Sequence, residues 1–184
     1  EQQGRRRLES DKIEKKIVSL QLGRELKNDF RVARVCEWGF PQVIESSLIS
    51  YGKPFPTLFW LSCPFLKEKV SRLESGGMIT EFEKRIERDG VFADEYLKAH
   101  EETTLIKKRI LGRCTLSESQ KLLLLGRGIG GIRNLKMVKC LHLQLANFLG
   151  GVNNPIGREV WSLLERTRCS SERVICRELL NRNE

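Results

Sequence analysis

Six cysteines and two histidines are the side chains of this 184-residue chain whose types suit metal binding or nucleophilic chemistry. The cysteines stand at positions 36, 63, 114, 140, 169 and 176. Disulfide frameworks are typical of short secreted chains, whereas a chain of this length buries enough surface to fold without them. We therefore expect reduced thiols and a cytoplasmic location.

Cys36 and Cys63 each stand at the end of a predicted strand. Cys36 comes directly before the turn Glu37–Gly39, but a zinc knuckle needs Cys-x-x-Cys and the partner position is glycine, so that signal is weak. Cys63 precedes Pro64 at a predicted helix start, where backbone N–H groups lower a thiol pKa and favour a nucleophile or a metal ligand. If Ser62 caps the helix instead, Cys63 is an inert buried group.

Cys140 and His142 lie within a helix predicted over residues 135–149. Residues two apart on a regular helix point about 200° away from each other, so the two side chains do not readily address one site. His142 lies at the edge of the apolar face, where it serves either as a hydrogen-bonded core residue or as a ligand. Three further cysteines have no neighbours in the sequence that would indicate a metal or catalytic site, and they are interpreted as structural: Cys114, Cys169 and Cys176.

His100 and His142 are the two candidate catalytic bases, because histidine titrates near neutral pH. His100 is followed by Glu101, yet the second histidine of a zinc-protease helix is absent. The simpler interpretation of His100 is a surface or hinge residue.

Positive charge is concentrated in one segment of a chain whose net charge is +9. Residues 105–140 contain nine Lys and Arg against one acidic residue, a balance of +8. Such a region attracts phosphate, a nucleotide or nucleic acid, although a solvated helix face without a partner has the same composition.

A glycine-rich loop, Gly126–Gly131, lies within this basic segment and precedes the helix predicted over 135–149. Free N–H groups at a helix start, with cations nearby, suit a phosphate. The loop is neither a P-loop nor a dinucleotide fingerprint, and a flexible connector explains it equally well. The candidate anion-binding residues are Arg127, Gly128, Gly130, Gly131, Arg133, Lys136 and Lys139.

A small sheet must position these residues. Short β-branched and aromatic runs predict a three-stranded antiparallel meander over 30–36, 42–49 and 57–62. Helical periodicity follows from residue 64 onward, with helices over 64–75, 78–88, 92–111, 135–149, 155–164 and 171–180. Residues 1–20 are expected to form a polar tail with a partial helix, and 21–184 a single α+β domain. No secretory signal or membrane-spanning apolar run is recognisable, so no membrane partner is expected.

Several short sequence motifs, in a fixed order, resemble those of one protein family. They are Gln21–Arg24, Val32–Cys36, Pro54–Pro64, Ser71–Glu74, Ala99–Glu101, Val138–His142 and Asn154–Gly157. Together they resemble the bacterial family catalogued as domain of unknown function 501, over residues 20–164.

That resemblance implies a residue pattern but no reaction, since the family has no assigned activity. Trp38 stands where relatives have a second cysteine, which weakens a zinc knuckle at Cys36, and residues 114–125 look particular to this chain. The family pattern includes Cys36, His100, Lys139, Cys140, His142 and the Asn154-Pro155 turn.

The leading hypothesis is a metal-binding or thiol-bearing protein. Cys36, Cys63 and Cys140 would converge, with His142 or His100 as fourth ligand or base, around zinc or an iron–sulfur cluster. An open metal position would permit hydrolysis by a metal-bound water. The alternative is a non-enzymatic phosphate or nucleic-acid binding module using residues 105–140, and a scaffold in a larger assembly is a third possibility. Whether the protein is an enzyme stays open.

Overall fold

The structure, a computed structural model, describes residues 2–112 and 114–183, with side chains from residue 12 onward. The described residues form five β-strands: β1 (Phe30–Val35), β2 (Pro41–Ser46), β3 (Ile49–Ser50), β4 (Lys53–Pro54) and β5 (Phe59–Leu61). They also form eight α-helices: α1 (Gln2–Leu22), α2 (Pro64–Ser75), α3 (Met78–Arg88), α4 (Gly90–Leu111), α5 (Glu118–Leu125), α6 (Leu141–Leu149), α7 (Pro155–Leu163) and α8 (Ile175–Asn181).

Strands β1, β2 and β5 form one antiparallel sheet in that order, which confirms the predicted meander and the α+β class. The second strand is shorter than expected because Ile49 leaves it for a separate two-stranded hairpin, β3–β4. Tyr51 and Gly52 turn this hairpin, both with positive φ (49° and 73°). Glycine adopts that conformation without steric cost, and tyrosine seldom does.

Helices α2, α3 and α4 match the predicted ranges because their boundary residues are specific. Pro64 occupies the start of α2, where a missing N–H has no cost. The side chain of Asp89 caps α4 by accepting a hydrogen bond from the Phe92 N–H (3.1 Å).

The helix predicted over 135–149 is wrong in its first part, since α6 begins only at Leu141. Carboxylates from neighbouring helices bind the backbone before that point. Glu83 accepts the Val138 N–H (2.9 Å), and Glu74 accepts the Leu141 N–H (2.6 Å). Residues 135 and 136 lie in a turn and residues 137–140 have no regular structure, although the apolar spacing matches a helix.

Helix α5 lies in a segment for which no element was predicted. Ser117 and Gln120 form a reciprocal capping box at its start. This Ser-x-x-Gln spacing is visible in the sequence and could have revealed the helix.

The main core lies between the sheet and the helices, and α6 packs closely on α7 within it. Gly157 permits this approach, because an added Cβ would lie 2.5 Å from the Phe148 Cβ. A second cluster joins the end of α1 to the sheet and to α8; its buried members are Ile17, Val18, Ile44 and Cys176. The last turns of the predicted N-terminal tail therefore contribute buried side chains.

Among the described residues, no helix is both long enough and apolar enough to cross a membrane.

Candidate metal centre

Three potential metal ligands meet between the end of α2 and the start of α6. One ligand atom each from Glu74, Cys140 and His142 lies within 4.8 Å of the others, and all three residues are half-buried. Among the described residues no other Cys, His, Asp and Glu side chains meet so closely in a group of three or more. We refer to these three residues as the Glu74 cluster.

The position of Cys140 corrects the prediction that it points away from His142. Cys140 is the N-cap of α6, with extended backbone (φ −164°, ψ 154°), and His142 is the second residue of the helix. The 200° separation applies only inside a helix. Because the helix begins after Cys140, both side chains reach the same carboxylate.

Hydrogen bonds fix the imidazole of His142 on both sides. Its Nδ1 lies 3.1 Å from Glu74 Oε1, while Nε2 lies 3.1 Å from the Lys67 carbonyl oxygen and 3.2 Å from Ser71 Oγ. A carbonyl only accepts, so Nε2 carries the proton directed at Lys67. Nδ1 then lies beside the Glu74 carboxylate, and a metal ion would bind between these two groups and Cys140.

Glu74 also has a structural role, because the same Oε1 accepts the Leu141 N–H. A carboxylate at a helix N-terminus stabilises the helix. No chemical role was predicted for Glu74, although its string was part of the family resemblance. Its spacing in the sequence gives no sign that it faces Cys140, since α2 and α6 are brought together by tertiary packing.

Burial raises the pKa of the Cys140 thiol, and the nearby carboxylate of Glu74 adds to this, while N–H groups of the α6 start and Lys139 act in the opposite direction. The ligand-free site therefore holds a protonated thiol, which a bound metal would convert to thiolate. Thiolate, imidazole and carboxylate are all zinc ligands, and three protein ligands with an open fourth position characterise catalytic zinc sites.

The structure places Cys36 and Cys63 elsewhere, around a small cavity together with Cys169 and Cys176. It does not bring Cys36, Cys63 and Cys140 into one ligand group. Cys63 is indeed the N-cap of α2, but its pKa is not lowered. Burial raises the pKa of this thiol to about 12, and the N–H groups of Leu66 and Phe65 offset only part of that.

His100 lies in a third place and is buried rather than on the surface (2% exposed). Its Nδ1 accepts the Ile129 N–H (3.0 Å), and its ring packs edge-on against Tyr96. Burial lowers the pKa of His100 to about 4. The neutral ring holds the glycine-rich loop in place, and the Glu74 cluster does not include it.

The glycine-rich loop does not lead into a helix start, which corrects the expected anion cradle. A short 3₁₀ turn, Ile129–Gly131, ends ten residues before α6 begins. The N–H groups of Gly128 and Gly131 bond within the loop, to the carbonyls of Ile132 and Gly128, and that of Ile129 goes to His100.

The side chains predicted to bind an anion differ in their hydrogen bonds and in their exposure. Lys139 Nζ donates to the Gly130 carbonyl (3.1 Å), which uses one of the expected cations. Arg133 and Lys136 are exposed, and Arg127 is half-buried. An anionic partner for this segment stays a prediction.

Comparison with known proteins gives one result. A family model described as a protein of unknown function, DUF501, matches residues 32–162. Neither the curated proteins nor the solved structures include a match to the chain. The matched range contains all three residues of the Glu74 cluster and ends before Cys169.

Proposed function

The chain belongs to the DUF501 family, whose function is unknown, and we propose from the site itself that the protein binds a single divalent metal ion, zinc above all, at the Glu74 cluster. The observation that carries this proposal is the meeting of three different ligand atoms within 4.8 Å. Thiol, imidazole and carboxylate are each ligand types that zinc takes in proteins.

The orientation of His142 supports the proposal. Histidines that bind metals usually donate their other ring N–H to a carbonyl or carboxylate, which fixes the tautomer. His142 Nε2 is directed at the Lys67 carbonyl in this way, which leaves Nδ1 beside Glu74 in the cluster that also contains Cys140. A bound metal ion would take Nδ1 as its nitrogen ligand.

The donor set favours zinc over an iron–sulfur cluster. A cluster needs several thiolates, whereas the Glu74 cluster contains one cysteine. A mixed set of sulfur, nitrogen and oxygen is typical of zinc. The fourth position would accept water, which is the arrangement that hydrolytic zinc sites use.

The test is metal analysis of protein purified anaerobically without chelator, comparing wild type with Cys140→Ser. Serine is a good N-cap, so this variant should keep α6 while losing the thiolate. We expect it to lose one equivalent of zinc per chain. Cys114→Ser is the matched control, because Cys114 is exposed and outside the Glu74 cluster. Equal zinc contents in wild type and Cys140→Ser would refute the assignment.

A second candidate function is binding of an anionic polymer by residues 105–140. The observation that favours it is a set of exposed cations that form no ion pair within the described residues: Lys108, Arg109, Arg133 and Lys136.

This second function predicts steeply salt-dependent RNA binding, measured by fluorescence anisotropy. Replacing Arg133 and Lys136 with Gln should reduce the salt slope by about 1–2, because each phosphate contact releases counterions. The paired residue Lys121, which contacts Glu118 (2.7 Å), provides a control position. Flat binding curves at low salt would exclude this function.

A further inference from the structure

Four of the six cysteines line one small cavity between the sheet, α2 and the C-terminal part of the chain. The cavity measures about 10 Å³, close to the smallest space that holds one water molecule. We call these residues the four-cysteine cavity: Cys36, Cys63, Cys169 and Cys176. Cys63 and Cys176 are buried, and the other two are half-buried.

Each cysteine comes from a different element, so tertiary folding alone brings them together. Cys36 follows β1 in a tight turn closed by its N–H bond to the Phe40 carbonyl (2.8 Å), and Cys63 caps α2. Cys169 belongs to the segment between α7 and α8, and Cys176 is the second residue of α8. Two long-range separations in the chain, from Cys36 to Cys63 and from Cys63 to Cys169, are closed at this one point.

The cavity carries more than the apolar packing that buried cysteines usually provide. Gln21 Nε2 donates a hydrogen bond to the Cys176 sulfur (3.2 Å). Arg168 also lines the cavity, and its guanidinium pairs with Glu37 (2.6 Å). Four thiolates around a divalent ion leave a doubly negative centre; the Gln21 amide would offset part of it, whereas the charge of Arg168 is already balanced by Glu37.

We propose that the four-cysteine cavity binds one zinc ion through its four sulfurs, as a closed structural site. Such sites contain four protein ligands and no open position. The ion would connect the C-terminal segment 164–183 to the sheet and to α2. This second ion is independent of the one proposed at the Glu74 cluster, and two of its ligands lie beyond the residues that the family model matches.

The proposal requires the sulfurs to move closer. No three of them lie within 4.8 Å of one another among the described residues, whereas tetrahedral Zn–S bonds of about 2.3 Å place sulfurs about 3.8 Å apart. Because the three cysteines other than Cys169 also lack this spacing, at least two sulfurs must move. Cys169 lies between α7 and α8 outside any helix, and Cys36 lies in the turn after β1, so these two are the ones that we expect to move. All six cysteines are free in the structure.

The first experiment compares zinc content and cobalt-substituted spectra of wild type, Cys169→Ser and Cys176→Ser. We expect each variant to lose one equivalent of zinc and the intense sulfur-to-cobalt charge-transfer absorption. Cys114→Ser should keep both, and Cys140→Ser should keep the intense absorption while losing the ion of the Glu74 cluster. Loss in Cys140→Ser alone would therefore support the first site and overturn the second.

A second measurement uses wild type, in case a variant fails to fold. The charge-transfer intensity per bound cobalt should correspond to four thiolates at one of the sites, and proteolysis of residues 164–174 should accelerate when chelator is added. Unchanged zinc in Cys176→Ser, an intensity matching one thiolate only, or a disulfide between any two of the four cysteines would overturn the proposal.

Discussion

Asn154 provides the sharpest test of the packing between α6 and α7. Its Oδ1 accepts the Gly157 N–H (2.9 Å), which caps α7. Its Nδ2 donates to Gln144 Oε1 (2.7 Å) and to Asn147 Oδ1 (3.0 Å). The side chain is fully buried (0% exposed), so water cannot replace these bonds. Asn154→Ala removes all three.

The expected loss follows from these contacts. Removing a helix N-cap costs about 1 kcal/mol. Each of the two buried acceptors left without a donor costs about 1–3 kcal/mol. Since the three terms share one network and do not add fully, we expect a total of about 3–5 kcal/mol. For a domain of this size each kcal/mol lowers the melting temperature by about 2–4 °C, so the variant should melt roughly 10 °C or more below wild type.

Thermal unfolding followed by circular dichroism measures this difference. Asn153→Ala is the matched control, because Asn153 is exposed and its side chain accepts only from Arg158 (3.1 Å). We expect this neighbour to change stability by less than about 0.5 kcal/mol. Asn154→Asp retains the cap but places a carboxylate oxygen against two buried acceptor oxygens, so it should be at least as unstable as Asn154→Ala. Melting temperatures of Asn154→Ala and Asn153→Ala within 2 °C, roughly 1 kcal/mol, would refute the assigned network.

Two further predictions concern a buried base and a close helix contact. The folded-state pKa of His100 is about 4 against an ordinary value of 6.5, so the unfolded chain binds the extra proton first as pH falls. Between pH 6.5 and pH 4, wild type should therefore lose up to about 3 kcal/mol of unfolding free energy more than His100→Gln loses. Urea titration at each pH measures this difference. Parallel stability profiles of the two proteins would exclude this linkage. Gly157→Ala should cost at least about 2 kcal/mol by overpacking against Phe148, whereas Gly90→Ala, where nothing lies within 4 Å of the new Cβ, should be neutral or slightly stabilising. Equal stabilities of these two variants in chemical denaturation would contradict the close approach of α6 and α7.

The sequence predicts those elements whose signals are local. Pro64 and Asn154 begin helices where expected, and the three strands follow their β-branched runs. Glycine and proline also separate these elements as turn chemistry requires. Local signals thus account for most of the fold.

The candidate site could not be predicted because it depends on contacts between distant residues. The apolar spacing from Leu135 to Leu149 matches a helix, yet its first part is not helical and binds carboxylates of α2 and α3 through its backbone. This error is the reason why the side chains of Cys140 and His142 were expected to point away from each other. Similarly, no spacing in the sequence relates Cys36 to Cys169, which approach one cavity only after the C-terminal segment has packed.

The bonds that Glu83 and Glu74 make to the backbone before α6 also bear on the order of folding. They connect residues 55 and 67 positions apart. Contacts of such separation carry a large loop-closure cost and form slowly, while helices such as α3 and α4 need only near neighbours. The beginning of α6 should therefore become structured late, after α2 and α3 are in place. In a kinetic analysis, substitutions at Glu74 or Glu83 should accelerate unfolding and leave the refolding rate nearly unchanged.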